Sequence, residues 1–256
     1  MSQDLPDRVA ALLRLADGPL VLGQRLSEWC GHGPVLEEDI ALANIALDLL
    51  GQARLLLDLA GRVEDRGRDE DALAFQRGER EFLNPTIVEL PNGDFGFTVL
   101  RNLLWSAFQQ QQWAALAAGA GAADAADAEL AAIAAKALKE CRYHLEHAAD
   151  WTERLGDGTD ESHGRMQRAL DALWPYTAEL FHEDPPGAGP SAGIGWASLR
   201  AGWEACVGPV LDRATLRAPA ATPFLSRGRR GLHSEHLGHL LATMQSLPRA
   251  YPGARW

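Results

Sequence analysis

The sequence predicts an all-α protein, a bundle of four long helices with shorter helices at its periphery. Three observations carry that prediction. Apolar residues return every three or four positions over several long stretches. No segment shows sustained alternation of β-branched residues. And residues 36–61, LEEDIALANIALDLLGQARLLLDLAG, are long, nearly free of breakers and apolar on almost every side, as a helix buried among helices must be.

The elements follow in order. The first helix spans about 6–30, with Val9, Leu12, Leu13, Ala16, Leu20, Leu22, Leu26 and Trp29 facing inward. Asp17-Gly18-Pro19 should kink or break it, because proline removes a backbone donor and clashes with the preceding turn. Gly31-His32-Gly33-Pro34 is a short connection, which makes antiparallel neighbours. The second helix, 36–61, opens on Glu37, Glu38 and Asp39, whose charges suit its positive end, and Gly61 marks its stop. Leu36, Ile40, Ala43, Leu47 and Leu50 form one apolar stripe, and Leu42, Ile45, Leu49, Ala53 and Leu56 a second.

Residues 62–72 read as a charged loop, and a short helix at about 71–83 ends at Asn84-Pro85. Asp94 is placed to cap the third long helix, about 95–118, whose glutamine run 109–112 turns its polar members to solvent or another subunit. A flexible crossover, 119–127, leads to the fourth long helix, about 128–155. A fifth, about 160–181, is bent by Pro175. A Pro/Gly linker at 184–195 precedes a sixth at about 196–215, and the last, about 232–247, ends before Pro248. The expectation is one domain over 1–256, its core bundle at about 6–155 and its peripheral helices at about 160–247.

Composition narrows the class. The net charge of −11 excludes the basic footprint of a nucleic-acid binder. The N-terminus has no signal-peptide pattern, and no run approaches the ~18 apolar residues of a membrane span. Cys30, Cys141 and Cys206 form no CxxC pair and read as reduced core thiols of a cytoplasmic protein. The tryptophans Trp29, Trp105, Trp113, Trp151, Trp174, Trp196 and Trp203 are mostly core, with some free to anchor an interface.

Asn44, Asp48 and Gln52 lie four apart on the second helix, a polar stripe that invites comparison with a ferritin-like di-iron site. In such a site two helices each supply one carboxylate and two each supply Glu-x-x-His. Here the six positions in the bundle interior read Asp17, Asp48, Gly51, Ser106, Glu140 and Tyr143. Three carboxylates remain and both histidines are gone, so iron, which wants carboxylate and imidazole together, should not bind tightly. A rival shell is Glu140, His144 and His147, which with Asp17 and Asp48 would make a self-sufficient di-iron oxidase or oxygenase. His233, His236 and His239 lie on one helix flank and could clasp zinc, though nothing supplies a fourth ligand. The cluster Arg227, Arg229 and Arg230 would suit the phosphates of an acyl-CoA.

Several segments carry a resemblance: GQRLSEWCGHGPVLEEDIALANIALDLLGQAR (23–54), PNGDF (91–95), AAIAAKALKECRYHLEHAADW (131–151), ERLGDGTDES (153–162) and GLHSEHLGHLLATMQ (231–245). In order and over most of the chain, they closely resemble the C subunits of the bacterial phenylacetyl-CoA epoxidases, multicomponent ring monooxygenases of phenylacetate degradation. The resemblance implies a ferritin-like fold and a structural, non-catalytic role beside a related iron-bearing subunit. That partner carries the di-iron centre, and electrons reach it from NADPH through a reductase holding FAD and an iron–sulfur cluster. It implies a hetero-oligomer with other epoxidase subunits, no nucleic acid or membrane partner, and no catalytic, cofactor-binding or metal-binding residue in this chain.

Overall fold

A computed structural model of the chain describes residues 4–119, 124–183 and 194–254. Among them every extended element is helical, and the packing divides into two compact units: Met1–Pro91 with Arg227–Trp256, and Asn92–Ser226.

In the first unit α1 (Asp4–Ser27) packs along α2 (Leu36–Glu64). Leu12, Leu15, Ala16, Leu20, Val21, Leu22 and Leu26 of α1 and Leu42, Ile45, Leu49, Ala53, Leu56 and Leu57 of α2 are buried. Contrary to the expected break, α1 runs unbroken through Pro19. Proline inside a helix costs about 3 kcal/mol, and the burial of every residue from Leu15 to Gly23 outweighs that cost. Nor does Gly61 end α2. The helix continues to Glu64 and closes on a left-handed Asp65 (φ 53°), whose N–H reaches the Gly61 carbonyl at 3.1 Å. Gly61 serves the returning loop instead: a Cβ there would lie 2.2 Å from the Arg68 carbonyl oxygen.

The expectation of a helix buried on nearly every side also needs correcting. One stripe of α2 is bare, with Leu36, Ile40 and Leu47 at 71%, 53% and 66% exposure. By length and composition α2 is apolar enough to cross a membrane, unlike what its broken apolar runs suggest. The same surplus of leucine both packs it on α1 and leaves this stripe uncovered.

The short α3 (Glu70–Phe75) is capped by Asp69, which accepts from Ala72 N at 2.8 Å. Two 3-10 turns, Glu79–Glu81 and Thr86–Val88, complete the N-terminal part. The chain returns to this unit through α8 (Glu235–Met244) and α9 (Ser246–Ala250). The last helix does not stop before Pro248: proline sits in the first turn of α9, where its missing N–H has no helical partner to lose.

In the second unit α4 (Phe95–Ala118) and α5 (Ala125–Gly156) pack along each other, with α6 (Asp160–Leu173) and α7 (Arg200–Arg213) against both. Asp94 caps α4 as its position predicts, accepting from Phe97 N at 2.9 Å. Past α6 the chain tightens into a 3-10 helix, Trp174–Phe181, with Pro175 in its first turn. Phe108, Phe181, Trp196 and Trp203 form a connected aromatic cluster, and Trp203 Nε1 donates to the Leu104 carbonyl at 2.9 Å. Gln109 and Gln112 are buried rather than facing solvent, because residues 98–109 of α4 are covered on all sides. Of the expected crossover 119–127, residues 120–123 lie outside the described residues and 125–127 already belong to α5; the Pro/Gly linker falls largely on 184–193, also outside them.

Candidate functional site

The ligand positions of the ferritin-like pattern fall three in each unit. In the first, Asp17 comes from the middle of α1 and has no exposure. Its carboxylate accepts a bidentate contact from Arg77, with Nη1 at 2.9 Å from Oδ2 and Nη2 on Oδ1. The backbone N–H of Leu83 donates to the same Oδ2 at 2.8 Å. Arg77 is fixed in turn by the carbonyls of Leu73 and Glu81 and lies over the Phe82 ring, 4.2 Å from its centroid. A carboxylate so engaged has exchanged any metal for a guanidinium. Asp48 is half-buried on α2, one turn from Gly51, where a Cβ would meet nothing within 4 Å.

In the second unit Ser106 is buried on α4, and its carbonyl accepts from the Cys141 thiol at 3.2 Å. Burial pushes that thiol well above its ordinary pKa. Glu140 pairs with Lys136, one turn back on α5, at 3.2 Å. Tyr143, expected in the interior, is half exposed. The buried stripe of α5 runs Ala137, Cys141, His144, Ala148, and residue 143 falls one step off it. Its ring stacks at an angle on His147, centroids 6.3 Å apart, and edge-on to His144.

The described residues do not assemble a metal-binding set. Among those described, no three His, Cys, Asp or Glu side chains come together as a set able to hold an ion, the rival Glu140–His144–His147 shell included. The expected histidine flank is split as well. His233 is committed to Glu89 and the Phe82 carbonyl, at 2.8 Å each, while His239 is exposed. Arg229 is buried, so the arginine cluster does not present three free cations to a phosphate. Of the cysteines only Cys141 is a core thiol; Cys30 is exposed and Cys206 half-buried.

What spacing missed is Arg77, Glu89 and Arg25, the partners that hold these groups. Only Glu89, set between Val88 and Leu90, stands out as a charge in apolar sequence; Arg77 and Arg25 lie among polar neighbours and carry no local mark.

The exposed stripe of α2 is the other feature of note. Val35 at the N-cap and Leu36, Ile40 and Leu47 along the first half of that helix are exposed large apolar side chains, and Ala43 and Gly51 between and beyond them add no bulk. A face of this kind, apolar with small residues set into it, admits another helix at close range.

Comparison with known proteins gives the lineage of this arrangement. The family model described as phenylacetic acid catabolic protein matches residues 2–256. The chain belongs to that family. It is 48% identical over 250 residues, 96% of its length and 98% of the relative's, to the C subunit of the 1,2-phenylacetyl-CoA epoxidase of Escherichia coli (strain K12). For this member of the family the expected all-α fold class holds, and its helical content agrees with a ferritin-like fold.

Proposed function

We propose that the chain is a component of a phenylacetyl-CoA epoxidase in phenylacetate catabolism, and within it the structural, non-catalytic subunit. The observation that carries this reading is the state of the ligand positions. Asp17 is consumed by Arg77 and Leu83, Glu140 is paired with a lysine, and Gly51 and Ser106 supply no strong ligand. A helical scaffold with no such donor set among its described residues suits a role in binding, and the bare stripe of α2 supplies a surface for it. The partner on this reading is a related iron-bearing subunit, which would hold the di-iron centre and carry out ring epoxidation. Electrons would come from NADPH through a separate FAD and iron–sulfur reductase, in the cytoplasm, with neither nucleic acid nor membrane involved. Our chain would keep that partner folded, positioned and soluble.

Reconstitution tests it. The purified chain should carry far less than stoichiometric iron and turn over no phenylacetyl-CoA, and it should co-elute with the iron-bearing subunit. Activity should need both chains and the reductase. Near-stoichiometric iron that is lost on Asp48→Ala or Glu140→Ala would overturn the proposal in favour of a self-sufficient di-iron oxidase. Two independent peaks from the mixed subunits at micromolar concentration would overturn the scaffold role.

A further inference from the structure

The segment that returns to the first unit is closed by a histidine with an acceptor on each ring nitrogen. His233 Nδ1 lies 2.8 Å from Glu89 Oε2, and Nε2 lies 2.8 Å from the Phe82 carbonyl oxygen. Neither the His233 nor the Glu89 side chain has any exposed surface. A neutral imidazole has one N–H and one lone pair. It can make one of these contacts; at the other, lone pair would face lone pair with no exposure to water to relieve it.

Glu89 is surrounded by donors. The Ser234 N–H donates to Oε1 at 2.6 Å, and Asn84 Nδ2 donates to Oε2 at 2.9 Å. Both carboxylate oxygens thus already accept from neighbouring N–H groups, and Oε2 meets the ring as an acceptor. Other charged groups pack around the site. Arg25 of α1 spends Nε and Nη2 on the Glu89 main-chain carbonyl, at 3.0 and 2.7 Å, reaches the His236 carbonyl at 3.1 Å, and pairs with Glu28. Asp17 and Arg77 saturate each other and hold Leu83 and the Phe82 ring, next to the carbonyl that His233 uses. Arg229 and Arg230 lie on the returning segment itself, three to four residues before His233.

We infer that His233 is an imidazolium ion in the folded protein, and that its second proton is the catch holding residues 227–254 to the first unit. With both protons the ring ties the returning chain to Glu89 on one side and to the 82–84 segment on the other. When the ring loses one, a bond becomes a repulsion in a closed site, and α8 and α9 loosen. The inference stands apart from the scaffold reading and needs no partner.

Nitrogen-15 NMR of the histidine rings in the full chain tests it, with His233 assigned by its loss in His233→Gln. Should that variant not fold, single His→Gln changes at the other seven histidines, His32, His144, His147, His163, His182, His236 and His239, assign the signal by elimination. At about pH 7, above the ordinary histidine value of about 6.5, both ring nitrogens of His233 should carry protons. Hydrogen exchange in α8, corrected for its intrinsic pH dependence, should speed up about tenfold or more as that proton is lost at higher pH. Glu89→Gln, which keeps the shape and removes the anion, should move the transition to lower pH. A singly protonated His233 ring in the unaltered chain at neutral pH, or α8 protection that does not follow the ring's titration, would overturn the inference.

Discussion

Asp17 on α1 and Arg77, sixty residues later, close a bidentate ion pair in which neither side chain is more than 1% exposed. This pair occupies what the ferritin-like pattern would make a metal ligand, and it makes that carboxylate a structural group. Removing one partner of a buried pair strands the other's charge at a cost of about 3–5 kcal/mol. Arg77→Met should therefore lose that much stability in denaturant unfolding. The double variant Asp17→Leu/Arg77→Met should recover a large part of it, since two apolar side chains leave no stranded charge. Equal losses in the single and double variants would contradict the assignment.

The apolar stripe of α2 should behave as an interface. Leu47 is 66% exposed at mid-helix, so Leu47→Glu should leave the helical circular dichroism and melting of the isolated chain almost unchanged. A charge placed in the centre of an interface costs at least about 2 kcal/mol, or roughly thirtyfold in affinity. Titration of the variant against the proposed partner subunit should show that loss. Unchanged affinity would move the interface elsewhere.

Two glycines of α2 should respond in opposite senses to alanine. Gly51 faces open space, so Gly51→Ala gains helix propensity and should stabilise by roughly 0.5–1 kcal/mol. Gly61→Ala would push a methyl against the Arg68 carbonyl, 2.2 Å away, and should destabilise by about 1–3 kcal/mol. Thermal melts of the two variants read both signs.

Acid should loosen the end of α2. Arg68, hydrogen-bonded through its guanidinium to Glu64, holds the Glu64 carboxyl below its usual range. A depressed folded-state pKa gives stability that is present above the unfolded value of about 4.3 and lost as pH falls through the folded one. The stability gap between the unaltered chain and Glu64→Gln should thus be full at neutral pH and close as the carboxyl is protonated below about pH 4. A gap that does not change with pH would point to packing rather than charge.

Thiol chemistry should grade with burial. Cys30 is exposed and should react quickly with an alkylating reagent. Desolvation raises the pKa of half-buried Cys206 and, more strongly, that of Cys141. Cys141 should be modified only on unfolding, because the thiolate is the reactive form. Mass spectrometry of a labelling time course reads the order directly.

Much of this protein is determined by local sequence. Three-four periodicity places α4 at 95–118 and the other long helices within a few residues of their observed spans, because a helix needs only its own apolar rhythm and caps. Asp94 is legible as a cap for the same reason: its partner is three residues away. The missing histidines of the ligand pattern are legible too, since a side chain that is absent is absent in any fold. Tertiary structure decided the rest. Which stripe of α2 is covered depends on what packs beside it, and a helix apolar all round carries no mark of that choice. Pro19 stays helical because neighbouring side chains outweigh a local penalty. Asp17 finds Arg77, and His233 finds Glu89 across 144 positions, through space alone. Burial makes such pairings mandatory, but only the folded chain names the partner.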